Sequence, residues 1–546
     1  MLNYLCRFKH FLLCSAFSLA FLSPAAGEEF AFDPPKKFNL VSAYVGMHYP
    51  VSTDNKTAQL YFDQGFTFLY AFNHEAAYWS FLKASELDSN MAMAYWGMAL
   101  ALGRNINMET TPERRKLAYA SIQTALKLAA QATEAERDFI QALAQRYAFG
   151  EQLDETKLSE RYSQAMRALT KKYPEDLDAA ALFAESLLDI HPWHQWSQKG
   201  KPLDRTLEAV NALESVLKRD PMHLGANHYH IHAIEASPHP ERALMSAQRL
   251  RTLLPSSGHI LHMPSHIYFL VGDYHLVAQC NEEAIAADKA FIQRYGMEGY
   301  YPLDYLSHNM YFLTRAYDME GRFESAWNAA VDLETFYEPY FKRMPDLEFY
   351  LSAPMLVLVH FHKWDEVLKV HQIEGDRPLT AALWHFGRTL AWINLEDNVR
   401  ASQERDLFLQ AKAKVAPELS FGASKASTIL ELAATLISAK MAESQNKIPA
   451  ALELWRRAVA QQDALPYSEP PDWFFPVRES LGAFLLKVKD YQAAVTVFTE
   501  SLERTPRSGR ALFGLSKALK GLSKMHDYYW VNREFQIAWK YSDVQL

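Results

Sequence analysis

The stretch LGAFLLKVKDYQAAVTVFTESLERTP, residues 481–506, decides the fold class. It reads as two short amphipathic helices, with the small residues Gly482 and Ala494 where the two helices cross. An aromatic side chain follows at Phe498, and Pro506 follows the second helix. Small residues let two helices approach closely, and the proline ends the second helix because its ring cannot continue it. The stretch therefore predicts an antiparallel helix pair.

The same order of residues returns near the start of the chain. Gly65 is followed by Ala77, Phe81 and Ala84, and the turn segment 87–90 closes the unit. A helix pair with small residues at the crossing and a period of about 34 residues is the signature of the tetratricopeptide repeat. The sequence thus predicts two such repeats near opposite ends of one array.

The middle of the chain keeps the same spacing of about 34 residues. Pro221 and Pro255 are 34 residues apart, and so are Ala209 and Ala243. We therefore predict an all-α fold, a TPR-like α-solenoid that forms a right-handed superhelix of roughly eight to ten helix pairs. The pattern leaves open whether the array nearly closes around a central cavity.

Length and hydrophobic pattern give the domain organisation. The 546 residues (62.5 kDa) are too many for one compact core, so a repeat array fits the size. We predict four segments: a signal peptide (1–27), a lead-in segment (28–56), a TPR-like array (57–520) with histidine-rich central units (177–330), and a C-terminal helical tail (521–546).

The first 27 residues have the three parts of a secretory signal peptide. Arg7 and Lys9 precede the apolar run 11–22, and the small residues Ser23 and Ala25 follow it. About 12 apolar residues are too few for a typical membrane-spanning helix, although an uncleaved anchor is the alternative. We expect an exported, periplasmic or secreted protein with no membrane span in the mature chain.

Composition excludes several classes of protein. Hydrophobic residues are 49% and charged residues 22%, so the chain is not disordered throughout. The formal net charge is −8 and no long run of Lys or Arg stands out, so we expect no nucleic-acid partner. After removal of a signal peptide Cys280 is the single cysteine, so no intrachain disulfide can form.

Histidines are concentrated in the central units. Twelve of the 20 lie between His191 and His308. His228 and His232 are four residues apart on a predicted helix, and Glu235 follows three residues later, so the three side chains share one face.

The repeat period adds a second pair. His262 and His266 are each 34 residues after the members of the first pair, so one repeat places the two pairs side by side. His308 begins the first helix of a later unit, and Glu185 lies on the corresponding helix of the preceding unit. We expect these side chains to meet in the concave groove.

Imidazole and carboxylate together favour a transition metal such as Zn, Fe, Cu or Mn. Glu235 is a possible ligand or general base, and Pro264 leaves the facing of His262 open because a helix can begin there. The predicted ligands are His228, His232, Glu235, His262, His266 and His308, and the weaker candidates are Glu185, His259 and His74.

Other interpretations of the histidines remain open. They can be hydrogen-bonded core residues, or they can line a solvated groove that binds a peptide. His74 also fits a packing role in its own repeat. Two insertions, 191–201 and 295–304, are predicted loops. The aromatic loop 467–478 either caps the array or forms a wall of the ligand site.

Four strings carry a family resemblance: YAFNHEA (70–76), IHAIEAS (231–237), HMPSHIY (262–268) and YSEPPDW (467–473). With them the chain resembles, over residues 41–515, a family of large exported bacterial tetratricopeptide-repeat proteins with an HMPSHI-type histidine motif. The resemblance implies the repeat fold and a bacterial source. It implies no reaction.

Three functions follow as hypotheses. The first is an exported repeat protein that binds a protein or peptide partner in its concave groove, with a transition metal held there. The second is a metal-dependent enzyme, a hydrolase or an oxidoreductase. The third is a metal chaperone or sensor. No nucleophile motif, phosphate-binding loop or dinucleotide fingerprint is present in the sequence.

Overall fold

The computed structural model describes residue 32, residues 34–36 and residues 38–546 apart from 149, 151–153, 298–300, 343 and 374. The predicted signal peptide lies outside these residues. Helices dominate the described chain, and their consecutive members pack against each other.

The helices in chain order are α1 (Lys56–Tyr70), α2 (His74–Leu87), α3 (Ala92–Leu102), α4 (Pro112–Leu128), α5 (Glu134–Ala144), α6 (Glu155–Lys172), α7 (Leu177–Leu188), α8 (Thr206–Arg219), α9 (Leu224–Ile234), α10 (Leu244–Leu253), α11 (Gly258–His262), α12 (Pro264–Leu270), α13 (Tyr274–Tyr295), α14 (Ser307–Met319), α15 (Phe323–Tyr337), α16 (Ala353–His360), α17 (Trp364–Val367), α18 (Pro378–Asn394), α19 (Asn398–Lys412), α20 (Ala426–Ser444), α21 (Ile448–Asp463), α22 (Val477–Lys487), α23 (Tyr491–Arg504), α24 (Gly509–Gly521) and α25 (Met525–Ala538).

Short polar side chains begin many of these helices. Asn55 accepts hydrogen bonds from the backbone N–H groups of Thr57 and Ala58 at the start of α1. Thr133 and Glu136 form a reciprocal capping box at the start of α5. Each cap satisfies backbone donors that have no partner inside the helix. Local sequence therefore sets where the helices begin.

The predicted small and aromatic positions interlock the helix pairs. A methyl group added at Gly65 or Gly97 comes within 2.8 or 2.5 Å of the Phe81 ring, so this ring is wedged between α1 and α3. Phe498 is wedged in the same way between Gly482 and Gly514. The predicted all-α repeat fold is confirmed. With α11 and α12 counted as one interrupted helix, the 25 helices make twelve pairs, more than the sequence predicted.

In the central units the first helices form an inner layer and the second helices an outer one. Every residue of α9, the first helix of its pair, is buried. In α8, a second helix, the buried residues lie on one face, and most residues of the other face are polar. Buried amphipathic stripes of this kind face the core while the charged face contacts water. The histidine-bearing helices α9, α11, α12 and α14 all belong to the inner layer.

Both ends of the array pack against its centre. The ring of Tyr70, at the end of α1, lies on α9, where a methyl group added at Gly225 would come within 2.2 Å of it. From the other end, Ser542 donates to the backbone oxygen of Gly321 at 3.0 Å, and Arg510 donates to that of Asp318 at 2.9 Å. The first and the last described helix pairs therefore both contact the central units.

Two segments differ from the sequence prediction. The insertion 295–304 is not all loop, because a π-helical turn, Pro302–Leu306, runs directly into α14. Residues 420–425 form a short antiparallel hairpin of β1 (Ser420–Phe421) and β2 (Ser424–Lys425), which the helical sequence pattern did not predict. Among the described helices, none combines the length and apolarity that crossing a membrane requires.

Candidate metal centre

Helix α9 carries the first two histidines of the centre. Its N-cap is His223, whose Nδ1 accepts the backbone N–H of Ala226 at 3.1 Å. His228 and His232 lie one helical turn apart and so project from the same face. Their Nε2 atoms are 3.2 Å apart, and both side chains are buried.

A third histidine from the next unit joins this pair. His259, on α11, places its Nε2 3.1 Å from the Nε2 of His228. We call His228, His232 and His259 the first triad. One nitrogen from each of these buried residues lies within 4.8 Å of the other two. The sequence pattern indicated His259 only as a weaker candidate.

Outer acceptors hold two rings of the first triad. The Nδ1 of His228 donates to the backbone oxygen of Tyr70 at 2.6 Å. That of His232 donates to a carboxylate oxygen of Glu235 at 2.9 Å. Because the proton is on Nδ1 in each case, the Nε2 atom carries a lone pair that points into the triad. His259 differs, since its Nδ1 has no hydrogen-bond partner among the described residues.

A second triad consists of His262, His266 and His308. The Nε2 atoms of His262 and His266 are 2.9 Å apart. His308, near the start of α14, brings its ring centroid to 4.8 Å from that of His262. One ligand atom from each residue again lies within 4.8 Å of the others. His262 and His266 are buried, whereas His308 is half-buried.

Pro264 interrupts the helix between His262 and His266 without turning their side chains apart. It removes one backbone donor, so the chain divides into α11 and α12. Met263 between them keeps helical dihedral angles, φ −50° and ψ −37°. The four-residue spacing therefore still places the two rings on one face.

Asn281 is the outer acceptor of the second triad. Its Oδ1 accepts from the Nδ1 of His262 at 2.8 Å. Its Nδ2 donates to Ser265 and to the backbone oxygen of Val277, both at 2.8 Å. A backbone oxygen can only accept, so these bonds fix which side of the amide faces His262. The Nε2 lone pair of His262 therefore points into the second triad.

Glu235 lies between the two triads. One of its oxygens accepts from the Nδ1 of His232 at 2.9 Å, and the other accepts from the Nδ1 of His266. Burial raises the pKa of Glu235, but His266 and His232 together outweigh burial and hold the pKa below its usual range. The ionised carboxylate is thus a shared hydrogen-bond acceptor, facing the Nδ1 rather than the Nε2 side of both rings.

Burial favours the neutral form of His228, His232, His259, His262 and His308 by lowering their pKa values. Burial lowers the pKa of His228, His259 and His262 well below the usual value, and neighbouring histidines lower it further. Burial likewise lowers the pKa of His308 to about 3. Neutral imidazole is the form that binds metals.

The spacing of the nitrogens suits a metal ion. A tetrahedral site with metal–nitrogen bonds of about 2.0–2.1 Å separates its ligand nitrogens by about 3.3 Å. Two Nε2 separations in the first triad are 3.2 and 3.1 Å, one in the second is 2.9 Å, and the remaining ligand-atom separations lie within 4.8 Å. Without a cation or a proton between them, facing lone pairs at these distances repel each other.

Aromatic rings surround the triads. Phe72 stacks on His232 and His259, with centroid distances of 5.6 and 5.5 Å. Phe312 stacks on His266 at 5.3 Å. Trp193, from the insertion 191–201, meets the His232 ring edge-on at 5.7 Å. This apolar packing fixes ring orientation and removes water from around the nitrogens.

Glu469 brings a second carboxylate to the centre. It lies on the aromatic loop 467–478 and, with Glu235 and His266, forms a further group of closely spaced ligand atoms. Tyr467 donates to one of its oxygens, and the other, Oε2, is buried with no hydrogen-bond partner among the described residues. Burial and the charge of Glu235 raise its pKa. The sequence suggested this loop as a ligand wall but did not single out Glu469.

Two of the weaker candidates lie outside the triads. Both ring nitrogens of His74 are engaged, Nδ1 with the backbone oxygen of Ala101 at 2.8 Å and Nε2 with Asn105 at 3.0 Å. Glu185 lies next to Asp189, which is itself paired with Arg146 at 2.8 Å. Burial and the neighbouring Asp189 raise the pKa of Glu185.

Comparisons with known proteins give limited information. No protein-family model matches the chain, and no curated protein matches it either. The resemblance to an exported bacterial repeat family therefore stays a prediction.

Solved structures of two helical proteins align along most of the chain. One is titled "Human IFIT1 dimer with PPP-AAAA", at 12% identity and a TM-score of 0.33, covering 88% of this chain and 91% of that one. The other is yeast Tom70, at 11% identity and a TM-score of 0.27, covering 86% of this chain and 89% of that one. Because both scores are low, we take the fold from the helix pairs themselves.

Proposed function

We propose that this protein is a metalloprotein, a helical-repeat protein that holds a transition metal in its histidine centre. One observation carries the proposal. Imidazole nitrogens converge in each triad while the opposite nitrogens of His228, His232, His262 and His266 donate to outer acceptors. Metal-ligating histidines show this arrangement, a carboxylate, carbonyl or amide oxygen fixing the ring behind the metal-binding nitrogen.

The ligand set limits which metal ions the centre can bind. The triads offer imidazole nitrogen and no thiolate, and the one cysteine outside the predicted signal peptide, Cys280, is buried on α13. Imidazole favours Zn, Cu, Fe and Ni over the oxygen-preferring Ca and Mg. Mn, which the sequence also allowed, prefers carboxylate ligands, whereas both triads offer imidazole nitrogen.

Elemental analysis tests the proposal directly. Untagged protein is purified without chelator and analysed by plasma mass spectrometry, then stripped and refilled with Zn²⁺ or Co²⁺. Bound metal at one equivalent or more, retained through gel filtration, supports the proposal. Protein that holds no metal and takes none up overturns it.

A double variant locates the metal. His228→Ala with His262→Ala removes one ligand from each triad and leaves the Glu235 hydrogen bonds in place. We expect metal content to fall to background while helical circular dichroism persists. The matched control is His230→Ala, on the same helix α9, because His230 faces Ser246 at 3.0 Å rather than a triad.

A metal-dependent enzyme is the second candidate, and the second triad favours it. His308 is only half-buried, and Glu469, which lies close to Glu235 and His266, presents a carboxylate oxygen without a partner among the described residues. A catalytic metal keeps one position open to water or substrate, and a nearby carboxylate can move a proton there. In such an enzyme Glu469→Gln abolishes turnover but leaves the metal bound. This result would distinguish a catalytic metal site from a purely structural one.

Three predictions remain as proposals. The first triad is buried under aromatic rings, so we propose a retained metal in preference to the metal chaperone or sensor. The protein or peptide partner that the sequence predicts in the concave groove remains a proposal. Export to the periplasm or the exterior remains a proposal from the leader sequence.

A further inference from the structure

We propose that the centre is dinuclear, with one metal ion in each histidine triad, and that the Glu235 carboxylate couples the two ions. This inference rests on the proposed function. It assigns the first ion to His228, His232 and His259 and the second to His262, His266 and His308. Both ions are nitrogen-preferring transition metals of the same class.

The direction of each ring separates the two sites. His232 and His266 both turn Nδ1 toward Glu235, so their Nε2 atoms point away from the carboxylate and into different triads. A single ion shared by both rings would have to replace these hydrogen bonds. Glu235 is therefore a positioning residue that contacts neither metal.

One carboxylate serves both sites at once. Each oxygen of Glu235 accepts one Nδ1–H, and each of these bonds fixes the tautomer that leaves Nε2 free for metal. Metal in the first triad holds His232 as a donor and so orients Glu235 for His266. The second ion consequently binds a site that the first has already ordered, which is positive coupling.

Glutamine at position 235 tests this coupling sharply. An amide has one acceptor oxygen and one donor nitrogen, so Glu235→Gln can satisfy only one of the two Nδ1–H groups. The other ring must accept at Nδ1 and carry its proton on Nε2, which blocks that nitrogen as a ligand. We expect the variant to keep one ion and to bind the other about 10–100-fold more weakly.

The experiment is a titration of metal-free full-length protein with Co²⁺ alone, followed by visible absorption and by elemental analysis after gel filtration. Wild type should bind two equivalents, the second no more weakly than the first. Glu235→Gln should bind one equivalent tightly. The matched control, Glu241→Gln, changes an exposed carboxylate nearby and should keep two.

Single-ligand variants cover the case in which Glu235→Gln does not fold. His228→Ala and His308→Ala each remove a ligand from one triad, so each should bind one equivalent. Zero equivalents in both would mean a single shared ion and would overturn the dinuclear assignment. Two tight equivalents in a folded Glu235→Gln would overturn the coupling. Wild type that binds one ion refutes only this inference, whereas wild type that binds none refutes the proposed function.

Discussion

His228 of α9 donates its Nδ1 hydrogen to the backbone oxygen of Tyr70, 158 residues earlier in the chain, at 2.6 Å. Tyr70 is the last residue of α1, so the first helix pair supplies the acceptor that orients a triad histidine. From the opposite direction, Glu469 reaches the same centre on a loop before α22. The centre therefore joins three parts of the repeat array that are distant in sequence.

Removing metal should loosen the array. A ligand that binds only the folded state at 100 times its dissociation constant stabilises that state by about 2.7 kcal/mol. We expect chelator-treated protein to melt at a lower temperature than metal-loaded protein. Hydrogen exchange should also become faster at the end of α1 and in α9. An unchanged melting temperature would show that the metal does not join these elements.

Phe72→Ala should destabilise the protein, and Phe72→Gly should destabilise it less. Phe72 is buried against the rings of His232 and His259, and loss of a buried Phe typically costs about 3–5 kcal/mol. Its φ of 54° lies in the left-handed region, where glycine avoids a strain of about 1–2 kcal/mol that alanine retains. Thermal denaturation should rank wild type first, then glycine, then alanine. The reverse order of the two variants would show that backbone strain is absent.

The repeat register explains how much of this centre the sequence could predict. His228 and His262, and likewise His232 and His266, are one 34-residue period apart, and stacked repeats put such positions side by side. The close approach of Phe81 to Gly65 likewise follows from the small and aromatic positions of the repeat. Periodicity alone therefore predicted the fold, and it also predicted that four of the six triad histidines lie close together.

Ring orientation could not be derived from spacing. Glu235 was predicted as a ligand because it shares a helix face with His228 and His232, yet its oxygens bind Nδ1 hydrogens. Glu469 lies more than 200 residues after His266 on an irregular loop, so no local pattern connects the two. Side-chain rotation and long-range contacts decide these features, and neither has a period in the sequence.

Gly97→Ala should destabilise the first repeats although alanine favours helices. An added methyl group lies 2.5 Å from the Phe81 ring, and that ring cannot retreat because Gly65 of α1 is close on its other side. Overpacking of this kind costs about 1–3 kcal/mol, more than the gain in helix propensity.

The matched control for Gly97→Ala is Gly46→Ala, where nothing lies within 4 Å of the added methyl group. We expect the melting temperature to fall for the first variant and to stay unchanged for the second. Equal melting temperatures would contradict the wedge.

Relative to wild type, Asp288→Asn should raise the free energy of unfolding more at pH 8 than at pH 5. Asp288 on α13 is fully buried and accepts from Tyr301 at 2.9 Å and Asn309 at 2.8 Å. Burial raises its pKa to about 7, although both hydrogen bonds lower it. Between about pH 4 and pH 7 the folded state therefore keeps a proton on Asp288 that the unfolded state has released. Because the folded state binds more protons, the free energy of unfolding falls as the pH rises toward 7.

Asparagine at position 288 is neutral at every pH, so the variant does not lose stability through this group as the pH rises. The difference in unfolding free energy between variant and wild type should grow by about 2–3 kcal/mol from pH 5 to pH 8. Asn309 can satisfy the new amide, because its Oδ1 has no partner among the described residues and can accept from it. Denaturant unfolding of metal-free protein at the two pH values measures the difference. Glu283→Gln, an exposed change on α13, is the control for a surface substitution. If the difference in unfolding free energy between variant and wild type stays constant from pH 5 to pH 8, Asp288 is ionised in the folded state at both pH values.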